Sequence, residues 1–464
     1  MHPKALLDAC AELVRLTLLF DHPADAVVSK FFRDHRKTYA FGPRERAVLA
    51  ETVYNVLRYK LRYDHFAPSG SGPKHRRLAI LGFAQHLQEQ AHTSGPAPGP
   101  AQKRAPAQTP SRTPARTSAR APETDPLAFL KGALSSQEVA WLEACAQVAE
   151  GDLMERHRHN LPEWLVAPLK QQLGEDFWPL VNALNAPAPL DLRVNSFTDK
   201  RSDVQHELAL ADVACEPTPY SPWGLRIHGK PALTQLDAFA RGAIEVQDEG
   251  SQLLALLLDA KRGEMVVDFC AGAGGKTLAL GATMRSTGRL YAFDTSAHRL
   301  DALKPRLARS KLSNVHPAAI AHERDERIKR LRGKIDRVLV DAPCSGLGTL
   351  RRNPDLKWRQ SPQAVAELNA KQIAILESAA RLLKPGGRLV YATCSVLQEE
   401  NEAIAQAFTA QHPEFAPLSV EETLAGLKVP NAASLCKTNG PSYLRLWPHT
   451  HGTDGFFAAA WVAR

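Results

Sequence analysis

The chain has 464 residues, long for a single domain, so two or three domains are expected, and its 44% hydrophobic content is ample for buried cores. A net charge of +9 favours a polyanionic partner, nucleic acid being the commonest. Seven scattered cysteines, none at C-x-x-C spacing, speak against a zinc ribbon or a disulfide framework, and no run reaches the ~18 apolar residues of a membrane span. A reduced, cytoplasmic chain without a metal site or membrane anchor is expected.

The N-terminal stretch "MHPKALLDACAELVRLTLLF" is interrupted by Asp8, Glu12 and Arg15, so it reads as an amphipathic helix and not as a signal peptide. In "GPRERAVLAETVYNVLRYKLRY", Val48, Leu49, Val53, Val56, Leu57 and Leu61 recur at helical spacing, and Gly42-Pro43 is a helix start. The same region carries Lys30, Arg33, Arg36, Lys37, Arg44, Arg46, Arg58, Lys60 and Arg62, with Tyr54, Tyr59 and Tyr63 interleaved. Such a cluster suits an RNA backbone; an ordinary solvated helix face is the plain alternative. Residues 1–91 are read as one helical, RNA-binding part.

Residues 92–126 are rich in Pro, Ala, Thr and Ser, with five positive charges and no acid between Lys103 and Arg120. Having almost nothing to bury, this insertion is expected to be disordered. Helical pattern resumes over 127–184. "LDLRVNS" and "CEPTPYSPWGLRIHG" then read as short strands and turns, a small α+β module at 185–240.

From 241 to the C-terminus, strands and helices alternate as a parallel sheet requires. Strand candidates are "MVVDF" (265–269), "RLYAFD" (289–294), "DRVLVD" (336–341) and "RLVYATC" (388–394). The clearest helix is "PQAVAELNAKQIAILESAARLL" (362–383), punctuated by "KPGG" (384–387). The fold class is therefore α/β, a Rossmann-like domain preceded by the small α+β module and an all-helical N-terminal domain.

The first strand runs into the glycine-dense loop "DFCAGAGGKT". The P-loop template requires glycine at 270, which is Cys270, and the dinucleotide fingerprint requires it at 277, which is Thr277. Both fail. Asp294 ends the second strand about 20 residues after the loop, where a carboxylate accepts hydrogen bonds from ribose hydroxyls. With no pyrophosphate template satisfied, S-adenosylmethionine is the cofactor that fits; a turn holding no ligand is the plain alternative.

Cys344 in "DAPCSGLG" and Cys394 in "YATCSVLQ" each end a strand and each precede a serine. In an open α/β sheet both then lie at the carboxyl edge, where ligands bind. Small buried cysteines are common enough to be the bland reading. Chemistry supplies another. Carbon 5 of a pyrimidine becomes nucleophilic once a thiolate adds to carbon 6, and a second thiol can assist the later proton loss or elimination.

The motifs "LRVN" (192–195), "VQDEGSQL" (246–253), "DFCAGAGGKT" (268–277), "DAPCSGLGTLRRNPDLKW" (341–358), "LLKPGGRLVYATCSVLQEEN" (382–401) and "RLWPHTHGTDGFFAAAW" (445–461) resemble the RNA (cytosine-5)-methyltransferases. The likeness is greatest to the bacterial small-subunit rRNA enzymes, and the basic helical N-terminus is similar to their NusB-like domain. The resemblance spans 190–464 in family order. It implies Cys394 as nucleophile, Cys344 as the residue that helps release product, and Asp341 at the target cytosine or the methionyl end of the cofactor. It implies cofactor contacts from Cys270, Ala271, Gly272, Ala273, Gly274, Gly275 and Lys276, and from Asp294 at the ribose. Small-subunit rRNA is the implied partner of an expected monomer.

Departures are few. Ala271-Gly272-Ala273 stand where the family has A-A-P, and the adenine-proximal aspartate has only Glu323 and Asp325, within 321–325, as candidates. Alternatives are attack by Cys344 instead of Cys394, a tRNA substrate, amino-group methylation, and a non-enzymatic RNA-binding assembly factor.

Overall fold

The computed structural model describes every residue except Lys37, Tyr39, Ala40, 94–124 and 437–441. The Pro/Ala/Thr-rich insertion, apart from its ends, and Lys37 of the basic cluster thus lie outside the described residues. Two compact units are present, Met1–Leu161 and Pro162–Arg464.

The described part of the first unit is helical. Pro43 starts the helix Pro43–Arg58, where its missing N–H costs nothing, and Gly42 is the N-cap. Leu49, Val53, Val56 and Leu57 are buried against the helices Pro3–Thr17 and Lys74–Thr93. The stripe expected to run on to Leu61 breaks at Tyr59, and a second helix covers Lys60–Phe66. Two members of the basic and aromatic cluster face inward: Arg58 is 4% exposed and donates to Asn55 Oδ1, and Tyr63 is buried. Lys30, Arg33, Arg36, Arg44 and Arg46 remain exposed.

The second unit opens with the helices Glu163–Leu173 and Phe177–Asn185. A four-stranded antiparallel sheet follows, made of β1 (Leu190–Val194), β2 (Cys215–Pro217), β3 (Gly224–Ile227) and β4 (Ile244–Val246) in the order β2-β3-β1-β4. Val204 and Leu208 of the helix Arg201–Leu210 pack with Leu192, Leu225 and Ile244 to close its core.

The larger sheet holds β5 (Met265–Asp268), β6 (Arg289–Asp294), β7 (Val315–Ala319), β8 (Ile335–Asp341), β9 (Leu383–Thr393), β10 (Phe415–Pro417) and β12 (Phe456–Ala463), in the order β10-β12-β9-β8-β5-β6-β7. An eighth strand, β11 (Leu444–Leu446), pairs with β12. Strands β5 to β9 pair parallel with one another, and β12 runs antiparallel to β9. Alternate residues feed two cores, as the pleat dictates. Val266, Leu339, Val390 and Ala458 pack with the helices Glu249–Leu258 and Gly275–Thr283. Val267, Val338, Tyr391 and Phe457 pack with Pro362–Ala380 and Glu402–Gln411.

One expected boundary moves. The helix ends at Ala380 and β9 begins at Leu383, so 384–387 lie inside the strand and do not separate it from the helix. Pairing with β8 shifts register there, between Ile335/Leu383 and Arg337/Arg388, because Pro385 has no N–H to give the ladder. Among the described residues no helix is long and apolar enough to cross a membrane, and no group of three or more His, Cys, Asp or Glu could hold a metal ion.

Candidate active site

From β5 the chain winds outward through β6 and β7, then returns on the other side of β5 as β8 and β9. Ligands bind at the carboxyl ends of strands around such a switch point. The loop after β5, Asp294 at the end of β6, Asp341 at the end of β8, and Cys344 and Cys394 just beyond β8 and β9 all lie along this edge.

The loop is held by its own backbone. Ala271 N donates to Phe293 O (2.8 Å), Gly272 N to Asp294 Oδ2 (2.8 Å) and Gly274 N to Ala271 O (2.8 Å). Gly274 sits at φ +81 as N-cap of the helix Gly275–Thr283, and a Cβ there would meet Leu303 Cδ1 at 2.2 Å, so both dihedral and space demand glycine. Gly272, at φ +56, faces open space. Arg306 braces the loop from outside: its NH1 donates to Ala273 O (2.7 Å) and its Nε to Glu245 Oε2 (2.9 Å).

Asp294 is 6% exposed. Its carboxylate accepts from Gly272 N and, at 2.7 Å, from Ser296 N, leaving further acceptor sites on both oxygens. Below the loop, Asp268 is fully buried; Oδ2 accepts from Thr277 Oγ1 (2.6 Å) and Oδ1 has no partner among the described residues. Burial, abetted by Asp341 and Asp294 and opposed by Thr277 and Lys276, pushes its carboxyl up to about 7. An open glycine cradle, a strand-end carboxylate with free acceptor sites and an acid beneath with one unpartnered oxygen fit an adenosine cofactor with a cationic amino-acid tail. The residues thus suit S-adenosylmethionine.

Lys276 Nζ lies 2.7 Å from Asp341 Oδ2, with the lysine side chain 11% exposed and the aspartate 29%. Burial acts to lower the lysine's value, but Asp341 outweighs it and the net shift is upward; Cys394 and Asp268 contribute in the same sense. The ammonium also sits 5.9 Å above the Phe456 ring.

The Cys344 and Cys394 sulfurs are 3.4 Å apart, both half-buried. The contact with Cys394, then burial, push the Cys344 thiol well above its ordinary value. Backbone bonds fix the neighbouring chain: Gly348 N donates to Cys394 O (2.9 Å), and Gly455 N to Gly348 O (2.9 Å). A Cβ at Gly348 would meet Gly455 O at 2.1 Å and Cys394 O at 2.8 Å.

The structure thus gathers Asp294, Asp341, Lys276, Cys344, Cys394 and the 270–275 loop. Cys270, half-buried, has its thiol pushed well up by burial first and by Asp341, Asp268 and Asp294 after it, which suits a lining role more than a reactive one. The adenine-side candidates are engaged locally. Asp325 caps the short helix Glu326–Lys329 by accepting from Arg327 N and Ala321 N, and Glu323 lies 3.6 Å from Arg324. Sequence reasoning missed Arg306, Gly348 and Glu400. None had a signal in the sequence; Glu400 stands out only in the structure, where the hydroxyls of the serines that follow the two cysteines converge on it.

Residues 255–462 match the family model described as 16S rRNA methyltransferase RsmB/F, and residues 161–234 match that of an RsmF/B-like ferredoxin-like domain. A probable ribosomal RNA small subunit methyltransferase B of Synechocystis is 36% identical over 307 residues, 65% of this chain and 66% of that protein. The matched segment thus spans just under two thirds of that relative. The ribosomal RNA small subunit methyltransferase B of Yersinia pseudotuberculosis is 35% identical over 313 residues, 66% of this chain and 68% of that protein. The solved structure of PH0851 has a TM-score of 0.73 and 26% identity, covering 100% of this chain and 99% of that one.

Proposed function

Because this chain belongs to the 16S rRNA methyltransferase RsmB/F family, we propose that it methylates carbon 5 of a cytosine in small-subunit rRNA through a covalent cysteine–cytosine intermediate. The observation that carries this reading is the pair of thiols 3.4 Å apart at the strand edge that also bears the glycine loop and the Lys276–Asp341 pair. A methyltransferase acting on an amino nitrogen has no use for two adjacent sulfurs.

S-adenosylmethionine, when bound, supplies an electrophilic methyl group. The loop from Cys270 to Lys276 and the Asp294 carboxylate would hold it, and the Asp268 carboxyl lies beneath that loop. The target base must leave its stack to reach this edge. Cys394 then adds to carbon 6, which makes carbon 5 nucleophilic. Lys276 interacts electrostatically with Cys394 and places a positive charge beside the attacking sulfur. Once carbon 5 carries the methyl group, its proton leaves to solvent, the electrons of that C–H bond re-form the 5,6 double bond, and Cys394 departs from carbon 6 as a thiolate; Cys344, 3.4 Å away, is placed to give that thiolate a proton.

RNA carrying 5-fluorocytosine tests the reading. Fluorine cannot leave as a proton does, so the protein is expected to be trapped covalently on the fluorinated RNA in the presence of S-adenosylmethionine. Methyl transfer to RNA without trapping would exclude the carbon 5 mechanism.

A further inference from the structure

Glu400 ends the short 3-10 turn Gln398–Glu400 and is fully buried, in contrast to its exposed neighbour Glu399. A buried carboxylate is costly unless its oxygens are satisfied. No cationic side chain among the described residues pairs with this one. It receives four hydrogen bonds instead. Oε1 accepts from Ser345 N (2.8 Å) and Gln372 Nε2 (3.0 Å), and Oε2 accepts from the hydroxyls of Ser345 (2.5 Å) and Ser395. A carboxylate offers about four acceptor sites, so the group is saturated.

The two serines are the residues that follow the two cysteines. Each Cys-Ser step turns its thiol toward the strand edge and its hydroxyl inward, and the hydroxyls lie 3.2 Å apart over the acid. The scaffold beneath is equally tied. Tyr391 OH donates to Glu400 O (2.6 Å), Gln372 Nε2 also reaches Pro343 O (3.0 Å), and Asn401 Nδ2 donates to Ser395 O (2.9 Å). Two loops from different strands, 50 residues apart in sequence, are therefore fastened through one side chain.

We infer that Glu400 is a positioning residue that sets the separation of the two thiols, and so couples attack by one to product release assisted by the other. The inference rests on the carbon 5 reading above and deepens it. The hydrogen bonds of the Glu400 carboxylate go to Ser345, Ser395 and Gln372, none of them in the glycine loop. Replacing Glu400 by glutamine keeps the shape but removes the charge and turns one acceptor of two hydrogen bonds into a donor, so the two serine hydroxyls must turn to accept and the charge-assisted struts between the loops are weakened.

The test compares wild type with Glu400→Gln, and with Ser345→Ala and Ser395→Ala, each of which removes one strut should Glu400→Gln fail to fold. S-adenosylmethionine affinity is expected within about twofold of wild type in all three, because the loop and Asp294 are untouched. The kcat on rRNA is expected to fall by roughly 10- to 100-fold, the cost of misplacing a reacting group by about an ångström. Release is expected to suffer more than attack, so covalent protein–RNA complex should accumulate on unmodified RNA, where wild type shows none. Wild-type turnover in Glu400→Gln, or slowed turnover with no accumulated complex in any variant, overturns the inference while wild type still traps on fluorinated RNA. Absence of trapping by wild type overturns the carbon 5 reading and this inference with it.

Discussion

The Sγ atoms of Cys344 and Cys394 stand 3.4 Å apart, although one follows β8 and the other follows β9. At that distance the two sulfurs can both reach one reacting centre, and the contact with Cys394, then burial, push the Cys344 thiol well above its ordinary value. Removing each should give different failures. Cys394→Ala is expected to lower methylation by about 10³-fold or more with S-adenosylmethionine affinity retained. Cys344→Ala is expected to accumulate a covalent protein–RNA complex visible on a denaturing gel. Full activity in Cys394→Ala would reverse the roles.

The Lys276–Asp341 pair predicts a pH signature. The lysine is held above its ordinary value of 10.5, so its contribution to stability is complete below that pH and is lost as pH rises through the raised value. Wild-type methylation should therefore show no inflection from this lysine between neutral pH and about 9. In Asp341→Asn the opposing charge is gone and the downward push of burial remains, so a loss of activity on the alkaline side is expected to begin lower. The pH–rate profile reads this directly.

Asp268 predicts a loss in the same direction at a much lower pH. Its carboxyl rises from 3.8 to about 7 on folding, so between those values the folded chain holds more protons than the unfolded one and stability falls as pH rises. Above about 7 the native state carries a buried charge with an unpartnered oxygen. Thermal melts without cofactor should show the Tm of Asp268→Asn, relative to wild type, more favourable at pH 8 than at pH 5. Equal differences at both values would place the proton elsewhere.

Gly348 and Gly426 form a matched pair of glycines. A methyl at 348 meets two backbone oxygens, those of Gly455 and Cys394, while nothing lies within 4 Å of a methyl at 426. Gly348→Ala is expected to destabilise by about 1–3 kcal/mol through overpacking, and to slow methylation by displacing Cys394. Gly426→Ala, at the end of the helix Val420–Gly426, is expected to be neutral or stabilising by up to about 1 kcal/mol. Urea midpoints and initial rates on the same samples separate the two.

What could be read in advance follows from burial. β5, β6 and β8 are covered on both faces and so show apolar runs that stand out in sequence. β12 was not legible: "FFAAAWVA" is rich in alanine, a poor strand former, and is a strand because β9 and β10 flank it. β7 carries Pro317 and survives because it is an edge strand. In the site, Cys344, Cys394, Asp294 and Asp341 were legible because each sits at or just past a strand end. Glu400 was not, because "LQEEN" reads as an exposed polar turn and the residues that bury it, Ser345 and Gln372, come from 55 and 28 positions away.

Arg306 was equally hidden, and it yields the last prediction. From the helix Ala297–Ser310 it reaches Ala273 O with one nitrogen and Glu245 with another, and Arg309 adds a second bond to the same carboxylate (2.9 Å). Glu245 is buried in β4, so the small antiparallel sheet and the cofactor loop share one guanidinium. The loop has Ala271-Gly272-Ala273 in place of a stiffer sequence, and glycine adds conformational freedom that must be lost when a ligand binds. Arg306 offsets part of that loss by holding Ala273 in place beforehand. Arg306→Ala is therefore expected to weaken S-adenosylmethionine binding by about 10-fold, the worth of one charge-assisted hydrogen bond. The kcat at saturating cofactor should stay within about threefold, because no reacting group moves. Lysine at 306 reaches only one of the two partners and should recover part of the affinity. Titration calorimetry with the cofactor, beside kcat at saturation, decides it: unchanged affinity in Arg306→Ala would mean that the loop is rigid without its brace.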